Sequence, residues 1–432
     1  LLQSEVAKKV AIDIAQERKR SGRGASQYGT PQTLTPEYAP PPFIDEIPQG
    51  SPKRLRTERN LLEDNLIRLL LEHGETMLQI ETTFEGEEEP QVVDVTFAEL
   101  LIDRVEKQQI VLENPSTSFI LSRFTSGLDN GEIFFKTVED GRKIRLCILR
   151  GKTKKKSGTI FFLNGHREFI EKYSESFSYF STQGFNVITL DWRGWGLSDR
   201  PFPENPKIQH IDHANEYQYD LKMVLQLAKK EKLSRPWHML AHSMGCLIGL
   251  RKLSRSPDTF DNYVFLAPLW GNVGFIPQIV QSFLIKLKPV LKSLGITKIT
   301  SGNSKNYQPY ALQVSFEENT LTSDHRQFTR LKSLLQENPK LHSGVPTLSY
   351  LIAILEEIKS LQNIELPNKP ITVFIAEKEQ ITDNDAVKKF VSNNPFIKLI
   401  KVQDSKHEML IEKEKVRKKI LEEIEYAFNT PD

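Results

Sequence analysis

Apolar and polar positions follow two regimes along the chain. From about Gly131 onward, short continuous apolar runs alternate with stretches of helical spacing. This predicts strands at 133–137, 143–149, 159–163, 186–190, 238–241, 263–266, 371–376 and 397–402. Runs with no polar face suit strands covered by helices on both sides, so the expected class is α/β, with a mostly parallel sheet built from βαβ units. Asp140-Gly141 turns the first two strands into a hairpin. Between Ala267 and Pro370 no strong strand signal occurs, only several helical stretches. A structureless loop of that size does not belong in a compact domain, so residues 269–367 are expected to form a helical cap inserted between two strands.

The upstream pattern is different. Residues 1–20 have helical spacing, and residues 21–57 collect Gly, Pro, Ser, Thr and Gln with few large aliphatics, the composition of a flexible linker. Leu61, Leu62, Leu66, Ile67, Leu69 and Leu70 then follow helical spacing up to Gly74, and a second helix is expected over 96–107. Residues 1–118 therefore read as a small, mostly helical module ahead of an α/β unit at 128–432, with no internal repeat.

Composition narrows the options. With 432 residues, 38% of them hydrophobic, the chain can bury a full-sized core. A net charge of +2 gives no global field that would attract nucleic acid. No apolar run reaches the length of a membrane span, and the charged first twenty residues do not read as a secretory signal. Two cysteines, Cys147 and Cys246, cannot make a framework of bridges, so a reducing cytoplasm is the expected setting.

The candidate chemistry lies where strands end. Trp237-His238-Met239-Leu240-Ala241-His242-Ser243-Met244-Gly245 reads as a strand running into a nucleophile elbow, in which a strained turn lifts the serine hydroxyl above the sheet. The plainer alternative is a serine that only caps the following helix. Acyl transfer also needs a base, an acid that holds the base, and donors for the oxyanion. His407 follows the last strand and is the candidate base. Glu379 is favoured as the acid in the loop after 371–376, with Asp383 as the alternative. The order Ser243, Glu379, His407 is that of serine, acid and histidine in α/β-hydrolases. The backbone N–H groups of His166 and Met244 are the candidate oxyanion-hole donors, with Gly165 allowing close backbone approach. No second His or Cys has ligand spacing to His166, so no metal is expected, and this chemistry needs no cofactor.

Several of these segments together resemble the lysophospholipase and monoglyceride-lipase branch of the α/β-hydrolases, a serine aminopeptidase-like hydrolase family, over residues 128–432. The resemblance rests on Asn164-Gly165-His166-Arg167-Glu168 through Tyr173, on Asp191-Trp192-Arg193-Gly194-Trp195-Gly196-Leu197-Ser198, on the acid loop from Ala376 to Asn384, and on His407-Glu408-Met409-Leu410. The departures are Ala241 for the pattern's first Gly and Asn164 for the common His. The resemblance implies a serine carboxylic-ester hydrolase acting on lipid esters. Asp191, Arg193 and Ser198 are expected to tie their own loop. The stretch around Phe275 to Leu294, which interleaves large apolar residues with Lys286, Lys288 and Lys292, reads either as a cap helix on its core or as a surface for peripheral membrane contact. The N-terminal helical leucines are similar to a fragment near the helicase-binding end of bacterial DNA primase. This implies, as a second function class, a replication-associated module contacting a helicase or nucleic acid through residues 1–118. A serine peptidase of the same fold is the alternative within the enzyme class.

Overall fold

The computed structural model describes residues 77–82, 91–96 and 131–429, apart from 154–156, 272–276, 301, 303, 305 and 363. The chain divides into two units, Leu1–Ser126 and Gly127–Asp432. In the first, Met77–Thr82 and Gln91–Thr96 pair antiparallel, with Met77 opposite Thr96 and Thr82 opposite Gln91. The sequence reading placed no strand there, and Thr96 ends a strand instead of starting a helix. The helices expected over 57–73 and 97–107, the linker and the primase-like leucines lie outside the described residues.

The second unit is built on eight strands: β1 (Gly131–Thr137), β2 (Lys143–Leu149), β3 (Thr159–Leu163), β4 (Asn186–Asp191), β5 (Trp237–His242), β6 (Asn262–Leu266), β7 (Ile371–Ala376) and β8 (Ile397–Val402). They form one sheet in the order β8-β7-β6-β5-β3-β4-β2-β1. Only β2 runs against its neighbours, and all the other pairings are parallel. The sheet's two faces follow from the strand period of two. Phe161 and Leu163 enter one apolar cluster, while Ile160 and Phe162 enter the other. Helices α2 (Glu216–Lys230), α3 (Met244–Arg255) and α7 (Asn384–Ser392) cover the first face, and α1 (Ser174–Thr182) and α8 (Glu414–Asn429) cover the second. Burial of each large apolar side chain contributes ~1.5–3 kcal/mol, which is why β3 and β5, buried at every position, hold the centre. At the edge, β8 exposes Lys398 and Lys401, charges that discourage pairing with another chain.

Between β6 and β7 the chain builds a helical cap: α4 (Gln278–Ser293), α5 (His325–Glu337) and α6 (Leu348–Leu361). Asp324 caps α5 by accepting from Gln327 N (3.0 Å), and Thr347 caps α6 by accepting from Tyr350 N (3.2 Å). The α5 face packs Phe328, Leu331, Leu334 and Leu335 around Phe169, so the cap rests directly on the loop after β3. A short parallel pairing of Val345 with Ile208 and Pro346 with Gln209 fastens the cap a second time.

Candidate active site

Ser243 sits between β5 and α3 with φ 52° and ψ −114°, a region that a residue with a Cβ enters only when its surroundings force it. The forcing is visible in the glycine that follows. A Cβ on Gly245 would lie 2.0 Å from the Leu163 carbonyl oxygen and 2.7 Å from that of Asn164, so the start of α3 lies against the end of β3 with no room to spare. Ala241, in place of the pattern's first glycine, is fully buried within β5. Ser243 itself is buried.

His407, in the loop after β8, turns Nδ1 to Glu379, 2.9 Å from Oε2 and 3.0 Å from Oε1. Both side chains are almost fully enclosed. Burial alone would raise the Glu379 carboxyl. Its hydrogen bond to His407 and the backbone N–H groups of Ile381 (2.8 Å) and Thr382 (3.1 Å) nevertheless hold it below the usual carboxylate range. Asp383 does other work: its Oδ1 accepts from Asp385 N and Ala386 N and caps α7. Glu379, the acid favoured from the sequence, is thus the one bonded to His407, and Asp383, the alternative, is bonded to the start of α7.

Beneath these groups lies a buried cluster of charges. His242, the residue before Ser243, puts Nδ1 2.9 Å from Glu168 Oε1 and Nε2 3.1 Å from the His407 carbonyl oxygen. The Lys172 ammonium donates to Glu408 (2.5 Å) and Glu168 (3.3 Å), the Tyr173 hydroxyl donates to Glu408 (2.9 Å), and Glu168 accepts from Gly165 N. Burial disfavours a charged His242, but Glu168 and Glu408 override it and push the ring up to about 9. Two carboxylates thus face one ammonium and one imidazolium, and the cluster joins the loop after β3, the elbow and the His407 loop. His242, His407 and Glu408 bring potential ligand atoms within 4.8 Å of one another. Both His242 nitrogens are bonded, to Glu168 and to the His407 carbonyl, His407 Nδ1 is bonded to Glu379, and Lys172 already supplies Glu408 with a positive charge, a donor set poorly suited to a metal ion.

The loop after β3 crosses over the serine. A Cβ on Gly165 would stand 2.9 Å from Ser243 Cβ. The His166 ring bonds through Nδ1 to the Tyr350 hydroxyl (2.7 Å), which in turn contacts Met244 Sδ (3.2 Å), so one cap residue links the two expected oxyanion donors. Burial, reinforced by the positive charge of Arg167, keeps His166 well below its ordinary pKa and therefore neutral. Asn164, in place of the common His, donates its side-chain amide to the Leu190 carbonyl (3.0 Å), and its backbone carbonyl accepts from Trp192 Nε1 (2.9 Å). Asp191 and Ser198 tie the turn at 191–198 to itself, as expected, but Arg193 ties it outward. Ser198 Oγ donates to the Asp191 carbonyl (2.6 Å), and the Arg193 guanidinium pairs with Asp220, Asp140 and Glu216.

Sequence reasoning assigned no role to Tyr350, Arg167 or the buried cluster. The available signal was that Glu168, His242 and Glu408 are charged or titratable residues inside the same short motifs as the candidate catalytic groups.

Residues 154–414 match the family described as serine aminopeptidase, S33. Among individual proteins, the chain is 28% identical to the probable lysophospholipase L2 of Haemophilus influenzae, covering 62% of this chain and 83% of that protein. It is 25% identical to lysophospholipase L2 of Escherichia coli, covering 73% and 93%. Its fold resembles a soluble variant of monoglyceride lipase from Saccharomyces cerevisiae, solved with a substrate analog, at a TM-score of 0.54 and 17% identity over 69% of this chain and 95% of that one. An eight-stranded sheet with one reversed strand, an elbow on its fifth strand, a cap between the sixth and seventh, and a family match over more than half its length place the chain in the serine aminopeptidase S33 family of hydrolases, with the α/β-hydrolase fold.

Proposed function

We propose that the chain hydrolyses carboxylic esters of lysophospholipids and monoacylglycerols, with Ser243 as nucleophile, His407 as base, Glu379 as its acid, and the backbone N–H groups of His166 and Met244 as the oxyanion hole. The observation that carries this reading is the buried His407–Glu379 pair, whose loop is bonded through the His407 carbonyl to His242, the residue before a serine held at positive φ. In the first half-reaction Ser243 Oγ attacks the ester carbonyl carbon while His407 Nε2 takes the hydroxyl proton. The tetrahedral oxyanion is held by the two N–H groups, each contributing ~3 kcal/mol to the transition state. Collapse breaks the bond to the glyceryl oxygen, which leaves with the proton from His407. Water then attacks the acyl-enzyme by the same route, releasing fatty acid and free Ser243. Glu379 keeps Nδ1 protonated and stabilises the imidazolium formed in each half.

Substrate class is supported by the relatives' names and by the cap. Helix α4 and the segment after it expose Ile279 (85%), Phe283 (61%), Val290, Leu294 and Ile299 beside Lys286, Lys292 and Lys298. An apolar face edged by lysines suits contact with an anionic lipid surface. Among the described residues no helix is long and apolar enough to cross a membrane.

The test is hydrolysis of a p-nitrophenyl ester chain-length series, of lysophosphatidylcholine and of monoacylglycerol by the native chain and by Ser243→Ala. The expected result is a loss of about a thousandfold or more in kcat for the variant, with release of fatty acid from both lipids by the native chain. Equal rates for the two proteins would sink the assignment of Ser243.

A further inference from the structure

We infer that Arg167 forms the subsite for the phosphodiester headgroup of a lysophospholipid substrate, an inference that rests on the ester-hydrolase reading above. Arg167 directly follows the candidate oxyanion residue His166, and the backbone two positions earlier, at Gly165, passes over Ser243. Its φ is 63°, a conformation that glycine adopts without strain and arginine does not. A side chain kept at such a position in spite of its backbone cost has work to do. The guanidinium lies 5.4 Å from the ring centroid of Tyr307, a cap residue, so it spans the gap between the loop after β3 and the cap.

Arg167 is half-buried, and its partners set it apart from Arg145, Arg193 and Arg200, the last of which donates to the carbonyls of Gly194, Gly196 and Lys340. Arg145 is paired with Asp191 and Glu171, and Arg193 with Asp220, Asp140 and Glu216. Arg167 has no carboxylate partner among the described residues, and its Nε is buried with no acceptor. A buried, charged donor without an acceptor is costly to keep, and it is met by an anion with oxygens in a plane that the guanidinium fork can grip. The Arg167 charge also reaches His166 and Tyr350, the residues beside the serine. In a lysophospholipid a glycerol unit separates the scissile ester from the phosphate, and Arg167 is the unpaired cation on the loop that passes over Ser243. A monoacylglycerol has nothing to offer there.

The experiment compares kcat/KM for lysophosphatidylcholine and for monoacylglycerol of one acyl chain, in the native chain, Arg167→Gln and Arg167→Lys, with thermal melts of each. The expected result is a fall of about tenfold or more in the ratio of the two values for Arg167→Gln, carried by KM, with partial recovery in Arg167→Lys, which restores the charge but not the fork. Equal losses on both substrates, or an unchanged ratio, would overturn the subsite. Inorganic phosphate is added to the monoacylglycerol assay to separate a substrate headgroup from a free anion: inhibition of the native chain with no change of ratio in the variant would make this a free-anion site and overturn the inference. A native chain that cleaves monoacylglycerol alone would overturn the subsite but leave the ester-hydrolase reading standing. A native chain that cleaves neither lipid would overturn that reading itself.

Discussion

Glu379 and Asp383 share one loop, and their surroundings divide the labour between them. Glu379→Gln keeps the shape but can no longer favour the proton on His407 Nδ1, so kcat is expected to fall by about a thousandfold or more in steady-state assays while the thermal midpoint hardly moves. Asp383→Ala is expected to do the reverse, costing ~1 kcal/mol through the lost cap on α7 and leaving kcat close to native. The placement of Ser243, Glu379 and His407 just beyond strands was legible because the apolar run of each strand announces its end. Which acid bonds His407 depends on a few ångströms of loop path, so the sequence could favour Glu379 but could not show its contact. The buried cluster was hidden for another reason. Glu168, Lys172, Tyr173, His242 and Glu408 come from three distant segments, and charged residues read one by one look solvated.

At the scale of elements, that cluster binds three loops to one another, and its stability should depend on pH. His242 is raised from 6.5 to about 9, so its contribution is fully present below pH 6.5 and disappears as pH rises through about 9. Urea unfolding from about pH 6 to about pH 10 is expected to lose on the order of 3 kcal/mol in the native chain, with a much flatter profile in His242→Gln. A native profile as flat as the variant's would mean that the ring is neutral. For the cap, Ile279→Ser with Phe283→Ser is expected to lower binding to anionic vesicles in flotation assays by about tenfold or more, while soluble short-chain esters are still cleaved. The eight sheet strands were foreseeable because burial on both faces leaves unbroken apolar runs. The hairpin of Met77–Thr82 and Gln91–Thr96 was not: its strands are short and part polar, and the leucine-rich stretches around them dominate the local pattern.

On the scale of the whole molecule, every group assigned to the chemistry comes from Gly127–Asp432. Residues 127–432 expressed alone are therefore expected to fold cooperatively and to hydrolyse p-nitrophenyl esters within about twofold of the full chain. An insoluble or inactive product would show that the first unit contributes to the fold or the site. Tyr350 has a further consequence for this enzyme. It belongs to the cap, yet it grips both His166 and the side chain of Met244, so α6 serves as a fixed wall of the reaction chamber. If α6 swung away, the oxyanion cradle would come apart with it. In the proposed reaction α4, with its exposed apolar side chains, is then the part of the cap left to meet a lipid, while α6 stays bonded to the residues around the serine.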